Sequence, residues 1–370
     1  MNPILQKINS DLDDIKKKNR YRELRESNLI DFCSNDYLKL SNHPELIKKF
    51  EEGIKKFGLG SGASRLLRGH RKFIEEVEEE FSSWVESASS LFLANGFVSN
   101  LGLLDLLADK NTYIFSDRLN HASILDGIRL SGGIAKYYKH LDYTHLEELL
   151  SKSPSINPKI IISETVFSMD GDLANIQKLI ELKEKYNSIL ILDEAHAIGV
   201  FGKSGAGLSL SSNLNVSSID FRIFTCGKSL GLEGAFISGN NKIYKEYLIN
   251  RMRTFIFSTA PIPAIIYSIP KSIDLIKSME KERKEILDNA DYFRKKIKEK
   301  GFSTLDSNSQ IIPLICDSES NALDYSEKLR QGGYDIRAIR PPTVKKSRLR
   351  ISLNVSIARN DINNVLNILN

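Results

Sequence analysis

Short, uninterrupted apolar runs alternate with longer amphipathic segments through the middle of the chain, and this pattern constrains the fold most. The clearest run is Ile189-Leu190-Ile191-Leu192, which ends at Asp193. An apolar run without polar interruption is typical of a strand covered on both faces. Strands that alternate with helices form mostly parallel α/β sheets. We predict seven strands: Ser90–Ala94, Thr112–Ser116, Ile134–Tyr138, Lys159–Glu164, Ile189–Asp193, Phe221–Thr225 and Ala235–Ser238.

The segments that flank this sheet predict a helical arm and a second, smaller lobe. An amphipathic helix over residues 4–24 is expected to pack on the main body as an arm. The residues from 301 to 370 predict the order strand, strand, helix, strand, strand, helix. The predicted domains are an N-terminal helical arm (1–40), a large domain (41–262) and a small C-terminal domain (263–370). Further helices are expected over 44–57, 71–85, 98–108 and 278–300.

Length and composition limit the class of protein. Single cores stop growing near about 250–300 residues, so 370 residues predict one large and one smaller domain. The net charge of +5 is mild and argues against nucleic-acid binding, which needs a clustered basic face. The three cysteines are far apart and odd in number, which argues against a disulfide framework or a zinc site and fits a reducing cytoplasm. No apolar run suits a signal peptide or approaches the ~20 residues of a membrane span, so no membrane partner is expected.

Lys228 lies just beyond the strand Phe221–Thr225, between Gly227 and Ser229. A lysine at a strand end, flanked by small residues, can reach into a crevice with little crowding. If it is buried there, it loses proton affinity and becomes a usable amine nucleophile. The alternative is a solvated surface lysine, which is the usual state of this residue.

Two short segments resemble motifs of nucleotide-hydrolysing proteins but do not match them. Gly227-Lys228-Ser229 resembles the end of a phosphate-binding loop, but the first glycine of that motif would fall at Arg222. Asp193-Glu194-Ala195-His196 spells a helicase motif, but in a helicase the lysine loop precedes it, and here the lysine follows. Nucleotide hydrolysis is therefore disfavoured.

A possible phosphate site follows the first predicted strand. Asn95-Gly96-Phe97 leads directly into a predicted helix, so backbone N–H groups at the helix N-terminus could face an anion. The alternative is an ordinary turn without a ligand.

Other polar residues also fall at predicted strand ends, where open parallel sheets bind their ligands. Asp193 ends the most apolar strand, so its carboxylate must have a cationic or hydrogen-bonding partner. The alternative is a helix cap, because Asp is favoured there. His121 follows the second strand and has the alternative of a satisfied structural histidine. The remaining strand-end candidates are Ser168, His196 and Thr225.

One chemistry uses these groups together, namely pyridoxal 5'-phosphate chemistry. The cofactor needs an amine that binds it covalently, a carboxylate at the pyridinium nitrogen, a donor to the ring hydroxyl, a flat group over the ring and a phosphate cup. Lys228, Asp193, His196 and His121 match the first four requirements. Gly96 and Phe97, with Thr225, match the cup.

The chain also resembles the α-oxoamine synthases, which are pyridoxal-phosphate enzymes of fold type I. The resemblance runs in order from residue 31 over nearly the whole chain. The segment AIRPPTV is more similar to the branch that acylates alanine than to the glycine, serine or aminolevulinate branches. The matching motifs are SNDYLKLSNHP (34–44), FGLGSGASR (57–65), NGFVSN (95–100), DRLNHAS (117–123), TVFSMDGD (165–172), DEAHAIGVFG (193–202), TCGKSLG (225–231), AIRPPTV from 338 and RLRISL (348–353).

The resemblance implies a fold and a reaction. The fold would be a large, mostly parallel seven-stranded sheet domain with a small α+β domain, in a homodimer with shared active sites. The reaction would condense L-alanine with a pimeloyl thioester of coenzyme A or acyl carrier protein, with loss of CO2. Lys228 would hold the cofactor and act as the base, Asp193 would keep the pyridinium protonated, and His121 would stack on the ring.

The resemblance also implies further binding residues. His196 and Ser168 would contact the ring hydroxyl, and Ser258 or Thr259 would reach the partner's phosphate. Arg350 would bind the alanine carboxylate and Thr343 would border the acyl chain. The other implied substrate-binding residues are Arg22, Asn35 and His121.

Two alternatives stay open from the sequence. One is another member of the family that uses glycine or serine with a different thioester. The other is a non-catalytic subunit, which would be expected to lack Lys228. The chain departs from the common pattern in a short 26–30 segment, in Glu233, and in the absence of Pro-Gly from 345–347, and these departures concern the substrate loops.

Overall fold

The computed structural model describes residues 2–18, 20–211 and 214–369, which form two compact units. The sheet unit contains Asn35–Ser168 and Asp172–Glu285. The C-terminal unit contains the residues up to Ser34, Met169–Gly171 and the residues from Ile286 onward. The predicted domain limits at residues 40 and 262 stay a prediction.

The elements are numbered in chain order. The strands are β1 (Ile30–Asp31), β2 (Ser89–Leu93), β3 (Tyr113–Asp117), β4 (Ile134–Tyr138), β5 (Lys159–Glu164), β6 (Ile189–Asp193), β7 (Phe221–Thr225), β8 (Ala235–Gly239), β9 (Ile311–Ile315), β10 (Tyr334–Asp335), β11 (Arg337–Ile339) and β12 (Arg348–Ser352). The helices are α1 (Pro3–Lys17), α2 (Pro44–Phe57), α3 (Lys72–Trp84), α4 (Gly96–Leu107), α5 (Ala122–Ser131), α6 (Tyr143–Ser151), α7 (Ile176–Lys185), α8 (Lys242–Arg251), α9 (Arg253–Ile256), α10 (Pro263–Ser278), α11 (Glu280–Glu299), α12 (Glu319–Gln331) and α13 (Arg359–Ile368).

The sheet unit is built on a seven-stranded sheet in the order β2-β8-β7-β6-β5-β3-β4. Strands β3 to β7 pair in parallel, and β8 runs antiparallel to both of its neighbours. The mostly parallel α/β fold is therefore confirmed. Strands β4, β5, β6 and β7 have the predicted limits, and β2, β3 and β8 differ by one residue at one or both ends.

Both faces of this sheet are covered, which explains why its central strands are continuously apolar. Ile162, Ile191 and Ile223 are buried in one cluster with apolar residues of α4 and α5. On the other face, the rings of Phe81 and Phe236 stack with their centroids 3.7 Å apart. Full burial of each such side chain stabilises the fold by about 1.5–3 kcal/mol.

Helix α2 has the predicted limits, but two helix predictions fail. Helix α1 ends at Lys17 rather than at residue 24, and none of its residues is buried, so the expected packing on the main body is wrong. Its apolar periodicity stops after Ile15, and the following Arg20 forms an ion pair with Glu319. Helix α10 was not predicted, because Pro263 suggests an interruption. Proline is tolerated in the first helical turn, and Pro263 begins this helix.

In the C-terminal unit the elements after Gly301 are strand, helix, three strands and helix. The predicted order had a second strand before the helix, but residues 301–310 contain no strand. Strand β12 is the central strand of the antiparallel sheet β11-β12-β9, and β1 pairs in parallel with β10. Among the described helices, none has the length and apolar character needed to cross a membrane.

Candidate active site

The carboxyl ends of β5, β6 and β7 bring the predicted cofactor residues to one edge of the sheet. Glu164 pairs with Asp193, and Asp193 pairs with Ile223, in the parallel register of these strands. Thr225 ends β7, and Lys228 follows it within three residues. His121 lies near these groups, because the charges of Asp193 and Lys228 both affect the pKa of His121.

Asp193 is buried, and two donors fix its carboxylate. The side-chain amide nitrogen of Asn100 donates to Oδ2 at 2.7 Å, and the backbone N–H of Ala195 donates to Oδ1 at 2.9 Å. The hydrogen bond from Ala195, two residues further along the chain, is of the kind found in Asx turns. The carboxylate is therefore oriented by the protein itself.

His196 lies beside a tyrosine that was not predicted. Its Nδ1 is 2.7 Å from the Tyr37 hydroxyl, and both side chains are buried. The Tyr37 hydroxyl also donates to Asn35 Oδ1 at 3.2 Å. Asn35 is thereby placed in the same group of residues as His196. Tyr37 stands inside the quoted motif SNDYLKLSNHP, which is the signal that could have identified it.

His121 caps the N-terminus of α5, with Nδ1 accepting the backbone N–H of Ser123 at 3.2 Å. The ring of Phe97 meets it edge-on, with centroids 6.4 Å apart and an interplanar angle of 82°. Partial burial lowers the pKa of His121, and the positive charge of Lys228 lowers it further. The charge of Asp193 acts in the opposite direction without reversing the shift.

Gly96 begins α4, and Asn95 caps this helix by accepting the backbone N–H of Val98 at 3.0 Å. A Cβ atom added at Gly96 would lie 3.6 Å from Cβ of Thr225 and 3.7 Å from its hydroxyl oxygen. Glycine therefore keeps free the space between the N-terminus of a twelve-residue helix and the Thr225 hydroxyl. An anion in this space would be favoured by the helix dipole and by N–H groups without helical partners.

Glu164 was not predicted as a site residue. It is buried, one carboxylate oxygen accepts the backbone N–H of Ser168 at 3.2 Å, and Oε1 is buried without a partner among the described residues. Burial and the adjacent charge of Asp193 raise the pKa of Glu164 to about 8, against the opposing effects of Lys228 and of the backbone N–H groups of Ser168 and His121. A charged residue at the end of the apolar run KIIISE was the signal available in the sequence.

These residues fit pyridoxal phosphate in their chemistry. The sheet edge offers an amine at Lys228, an oriented and buried carboxylate at Asp193, and an imidazole at His121. Beside these groups lies the space above Gly96, which a side chain there would fill. His196 and the buried Ser168 provide polar groups for the ring hydroxyl.

The other predicted substrate residues lie in the C-terminal unit. Arg350 is buried, with its Nη1 donating to Ser352 Oγ at 2.7 Å. The alternative that Arg350 is an exposed edge-strand arginine is wrong, because β12 is the central strand of its sheet. Arg22 and Thr343 are exposed, and Arg22 Nη2 donates to Thr343 Oγ1 at 3.0 Å. Both border an open groove of about 670 Å³. Their roles in substrate binding stay predictions.

The family model for aminotransferases of class I and II matches residues 27–369, which is most of the chain. The chain belongs to this family. Within it, the relatives and the motifs identify a pyridoxal-phosphate-dependent enzyme of the α-oxoamine synthase type, which transfers acyl groups. The resemblance and the cofactor inferred from the sequence are therefore confirmed.

Individual relatives refine the picture. A Bacillus anthracis protein named "Putative 8-amino-7-oxononanoate synthase" is 41% identical over 330 residues, which are 89% of this chain and 83% of that protein. The crystal structure of 8-amino-7-oxononanoate synthase from Francisella tularensis has a TM-score of 0.82 at 28% identity and covers 92% of this chain and 97% of its own. A serine palmitoyltransferase from S. paucimobilis has a TM-score of 0.90 at 24% identity, covers 98% and 95%, and supports the fold.

Proposed function

We propose that this protein is an 8-amino-7-oxononanoate synthase, which condenses L-alanine with a pimeloyl thioester in biotin biosynthesis. The observation that carries the proposal is the 41% identity to a relative of that name across 89% of the chain. The site chemistry agrees, because the reaction needs an amine base beside a cofactor that withdraws electrons. By the same resemblance we propose a homodimer.

The reaction balances without an oxidant or a reductant. The bond from the alanine Cα to its hydrogen breaks, and Cα bonds to the acyl carbon as the thiol carrier leaves. The carboxylate then departs as CO2, and Cα regains a proton. The products are 8-amino-7-oxononanoate, CO2 and the free thiol, with one proton consumed overall.

The chain's own residues divide the work. When bound, pyridoxal phosphate supplies electron withdrawal from the substrate Cα. Lys228 binds the cofactor covalently at rest, and its freed amine accepts the proton from Cα. Asp193 would keep the pyridinium nitrogen protonated, which would maintain electron withdrawal. His121 would cover one face of the bound ring.

Other residues orient the groups that react. We propose that His196 and Ser168 contact the ring hydroxyl, and that Gly96, Phe97 and Thr225 surround the phosphate. Buried Arg350 is the proposed partner of the alanine carboxylate, because a guanidinium can bind a carboxylate with two parallel hydrogen bonds. Asn35 and His121 are also proposed to contact the amino-acid substrate, and exposed Arg22 and Thr343 to contact the acyl substrate.

A substrate panel tests the proposal. Purified enzyme with added pyridoxal phosphate is given L-alanine, glycine or L-serine in combination with pimeloyl-CoA, pimeloyl-acyl carrier protein, acetyl-CoA or palmitoyl-CoA. Thiol release is measured, and the amino ketone is identified by mass. The Lys228→Ala variant serves as the background control. We expect L-alanine with one of the two pimeloyl thioesters to give the highest kcat/KM.

The same panel addresses the strongest rival, a serine palmitoyltransferase, which is the name carried by structural neighbours with TM-scores near 0.90. Preference for L-serine with palmitoyl-CoA would replace the proposed activity by that one. Preference for glycine with acetyl-CoA would indicate a glycine C-acetyltransferase. Comparing the two pimeloyl thioesters identifies the carrier.

A further inference from the structure

A buried chain of hydrogen bonds joins His121 to Asp193. Asn100, on α4, places its side-chain nitrogen 2.7 Å from Asp193 Oδ2 and 3.0 Å from Ser123 Oγ. Ser123 Oγ in turn lies 2.8 Å from His121 Nδ1. Asn100 and Ser123 are 2% and 1% exposed, so water does not compete for these bonds. None of the motif arguments used Asn100, although it ends the segment NGFVSN.

The donors and acceptors in this chain can be assigned from chemistry alone. A carboxylate only accepts hydrogen bonds, so the Asn100 group that touches Asp193 must be the amide nitrogen. That nitrogen carries two hydrogens, and the second is directed to Ser123 Oγ. The amide oxygen Oδ1 of Asn100 is left buried without a partner among the described residues. A flipped amide would place that oxygen against the carboxylate, so the assignment is fixed.

The donors and acceptors in these hydrogen bonds determine which ring nitrogen of His121 carries the proton. The backbone N–H of Ser123 donates to Nδ1 at 3.2 Å, so Nδ1 is an acceptor and carries no hydrogen. The Ser123 hydroxyl accepts from Asn100 and therefore directs its own hydrogen to Nδ1. A neutral imidazole with a bare Nδ1 carries its hydrogen on Nε2.

We propose that Asn100 is a positioning residue of the cofactor site, which orients Asp193 directly and, through Ser123, keeps the proton of His121 on Nε2. One carboxamide thus contacts the carboxylate that would pair with the pyridinium nitrogen and, through Ser123, the imidazole that would stack on the ring. In this state His121 presents an N–H at Nε2. It can donate a hydrogen bond to a substrate oxygen, but Nε2 cannot accept the Cα proton, and Lys228 is left as the base.

The charges around His121 agree with this assignment. Partial burial and Lys228 lower the pKa of His121, and Asp193 opposes them without reversing the shift. The lowered pKa favours the neutral ring, and a neutral ring has a defined tautomer. The inference rests on the cofactor site of the proposed function, but it is independent of which amino acid and thioester react.

The tautomer can be measured directly. The holoenzyme is prepared with ¹⁵N-labelled histidine, and the side-chain ¹⁵N shifts of His121 are assigned by comparison with His121→Asn among the six histidines. We expect a pyridine-like Nδ1 and a pyrrole-like Nε2 in the wild type. In Asn100→Ala the backbone N–H of Ser123 still donates to Nδ1, but the Ser123 hydroxyl loses its fixed direction, so we expect the shifts to move part of the way toward the average of the two tautomers. A pyrrole-like Nδ1 in the wild type would overturn the proposal.

Two further variants keep the test decisive. Ser99→Ala is the matched control, because Ser99 is also buried on α4 but its hydroxyl donates to the Asn95 carbonyl, outside the chain of hydrogen bonds. Asn100→Asp keeps the volume of the side chain if Asn100→Ala does not fold. His121 shifts in the Asn100 variants that equal those of Ser99→Ala would remove Asn100 from its role.

Cofactor affinity gives a second readout. Loss of a hydrogen bond to a charged group should weaken cofactor binding by about ten- to a hundredfold in Asn100→Ala, because Asp193 is no longer oriented. Ser123→Ala should shift the His121 tautomer while changing cofactor affinity much less, since Ser123 does not touch Asp193. Equal cofactor affinity in wild type and Asn100→Ala would contradict the direct part of the proposal. These measurements use no substrate, so a wrong substrate assignment cannot mimic their failure.

Discussion

The strand ends of the sheet unit and the N-terminal segment 20–29 hold their polar groups in contrasting ways. At the strand ends, Asp193 and Glu164 are buried, and their partners are backbone N–H groups or the buried amide of Asn100. In the N-terminal segment, Arg22 and Arg25 are exposed and bond to exposed partners, Thr343 and Glu23. Groups of the first kind are fixed before a ligand arrives, whereas groups of the second kind can rearrange.

The contrast teaches where a substitution should act on chemistry and where on substrate binding. Removing a buried charged group leaves its partners unsatisfied, at a cost of several kcal/mol. Removing an exposed ionic contact typically costs about 0–1 kcal/mol. We therefore expect large effects on turnover at the strand ends and small, salt-sensitive effects in the segment 20–29.

The largest effect is expected for Lys228→Ala. Loss of an amine base alone costs about 10²- to 10⁴-fold in rate, and the covalent attachment of the cofactor is lost as well. Borohydride treatment of the loaded wild type should fix the cofactor to one peptide, which contains Lys228, as read by mass spectrometry. Label on a different lysine would remove Lys228 from its central place.

Asp193→Asn should come next. The substituted amide keeps the size and one acceptor for Asn100 but removes the charge that we propose to pair with the pyridinium nitrogen. Truncating one partner of a buried charged pair costs ~2–5 kcal/mol, and each 1.36 kcal/mol is about tenfold in rate. We expect kcat to fall by at least about thirtyfold while the protein retains its cofactor absorbance. Near-normal turnover would show that another carboxylate, with Glu164 the first candidate, supports the cofactor.

Arg350→Ala should affect binding rather than the cofactor. The guanidinium is buried, so its loss should raise the apparent dissociation constant for L-alanine by about tenfold or more, as expected for a charge-assisted hydrogen bond. Spectral titration with L-alanine measures this constant, and the absorbance before alanine is added should match the wild type. Arg348→Ala is the control, because Arg348 lies on the same face of β12 but binds Asp170. An unchanged constant would exclude Arg350 from the substrate site.

His140, which pairs with Asp117 and Asp172, is expected to make the folding stability depend on pH. Burial alone would lower its pKa, but hydrogen bonds to Asp117 and Asp172, at 2.9 and 2.7 Å, raise the pKa to about 10. Because the folded pKa lies above the ordinary value of 6.5, this stabilisation is full below about pH 6.5 and is lost as the pH rises through about 10.

The measurement is the denaturation midpoint in urea at pH 6, 8 and 10. The wild type should lose stability progressively as the pH rises over this range. His140→Gln keeps hydrogen-bonding groups without the titratable charge, so its midpoint should change less across the range. Parallel curves for the two proteins would contradict the ion pairs of His140 with Asp117 and Asp172.

The same contrast explains how much the sequence could predict. The limits of β4 to β7 and the candidates Asp193, His121 and Thr225 follow from apolar runs that end in polar residues, which is a local pattern. Glu164 was not predicted, because its proximity to Asp193 depends on the register between β5 and β6, which is a tertiary relation. Tyr37 and Asn100 were not predicted for the same reason, since their hydrogen-bond partners, His196 and Asp193, are distant in the sequence.

The wrong predictions about the fold also have physical causes. The predicted helix continued to residue 24, but α1 ends at Lys17, and beyond it Arg20 forms an ion pair with Glu319, about 300 residues away in the chain. Pro263 suggested a break because proline ends helices from within, whereas here it occupies a first turn. The ion pair is a tertiary contact, which a local window of sequence does not show.

The smallest effect is expected for Arg22→Ala, which tests the exposed side of the comparison. Arg22 is exposed and its described contact is a single bond to Thr343, so an interaction worth about 0.2–1 kcal/mol is at stake. We expect KM for the pimeloyl thioester to rise by less than about fivefold, with kcat unchanged. Because exposed charges are screened, the difference from wild type should shrink between low and high salt. Arg25→Ala is the matched control, since Arg25 lies in the same segment but pairs with Glu23. A large loss of kcat in Arg22→Ala would mean that this arginine is as firmly built into the chemistry as Asp193, and the contrast between the two regions would fail.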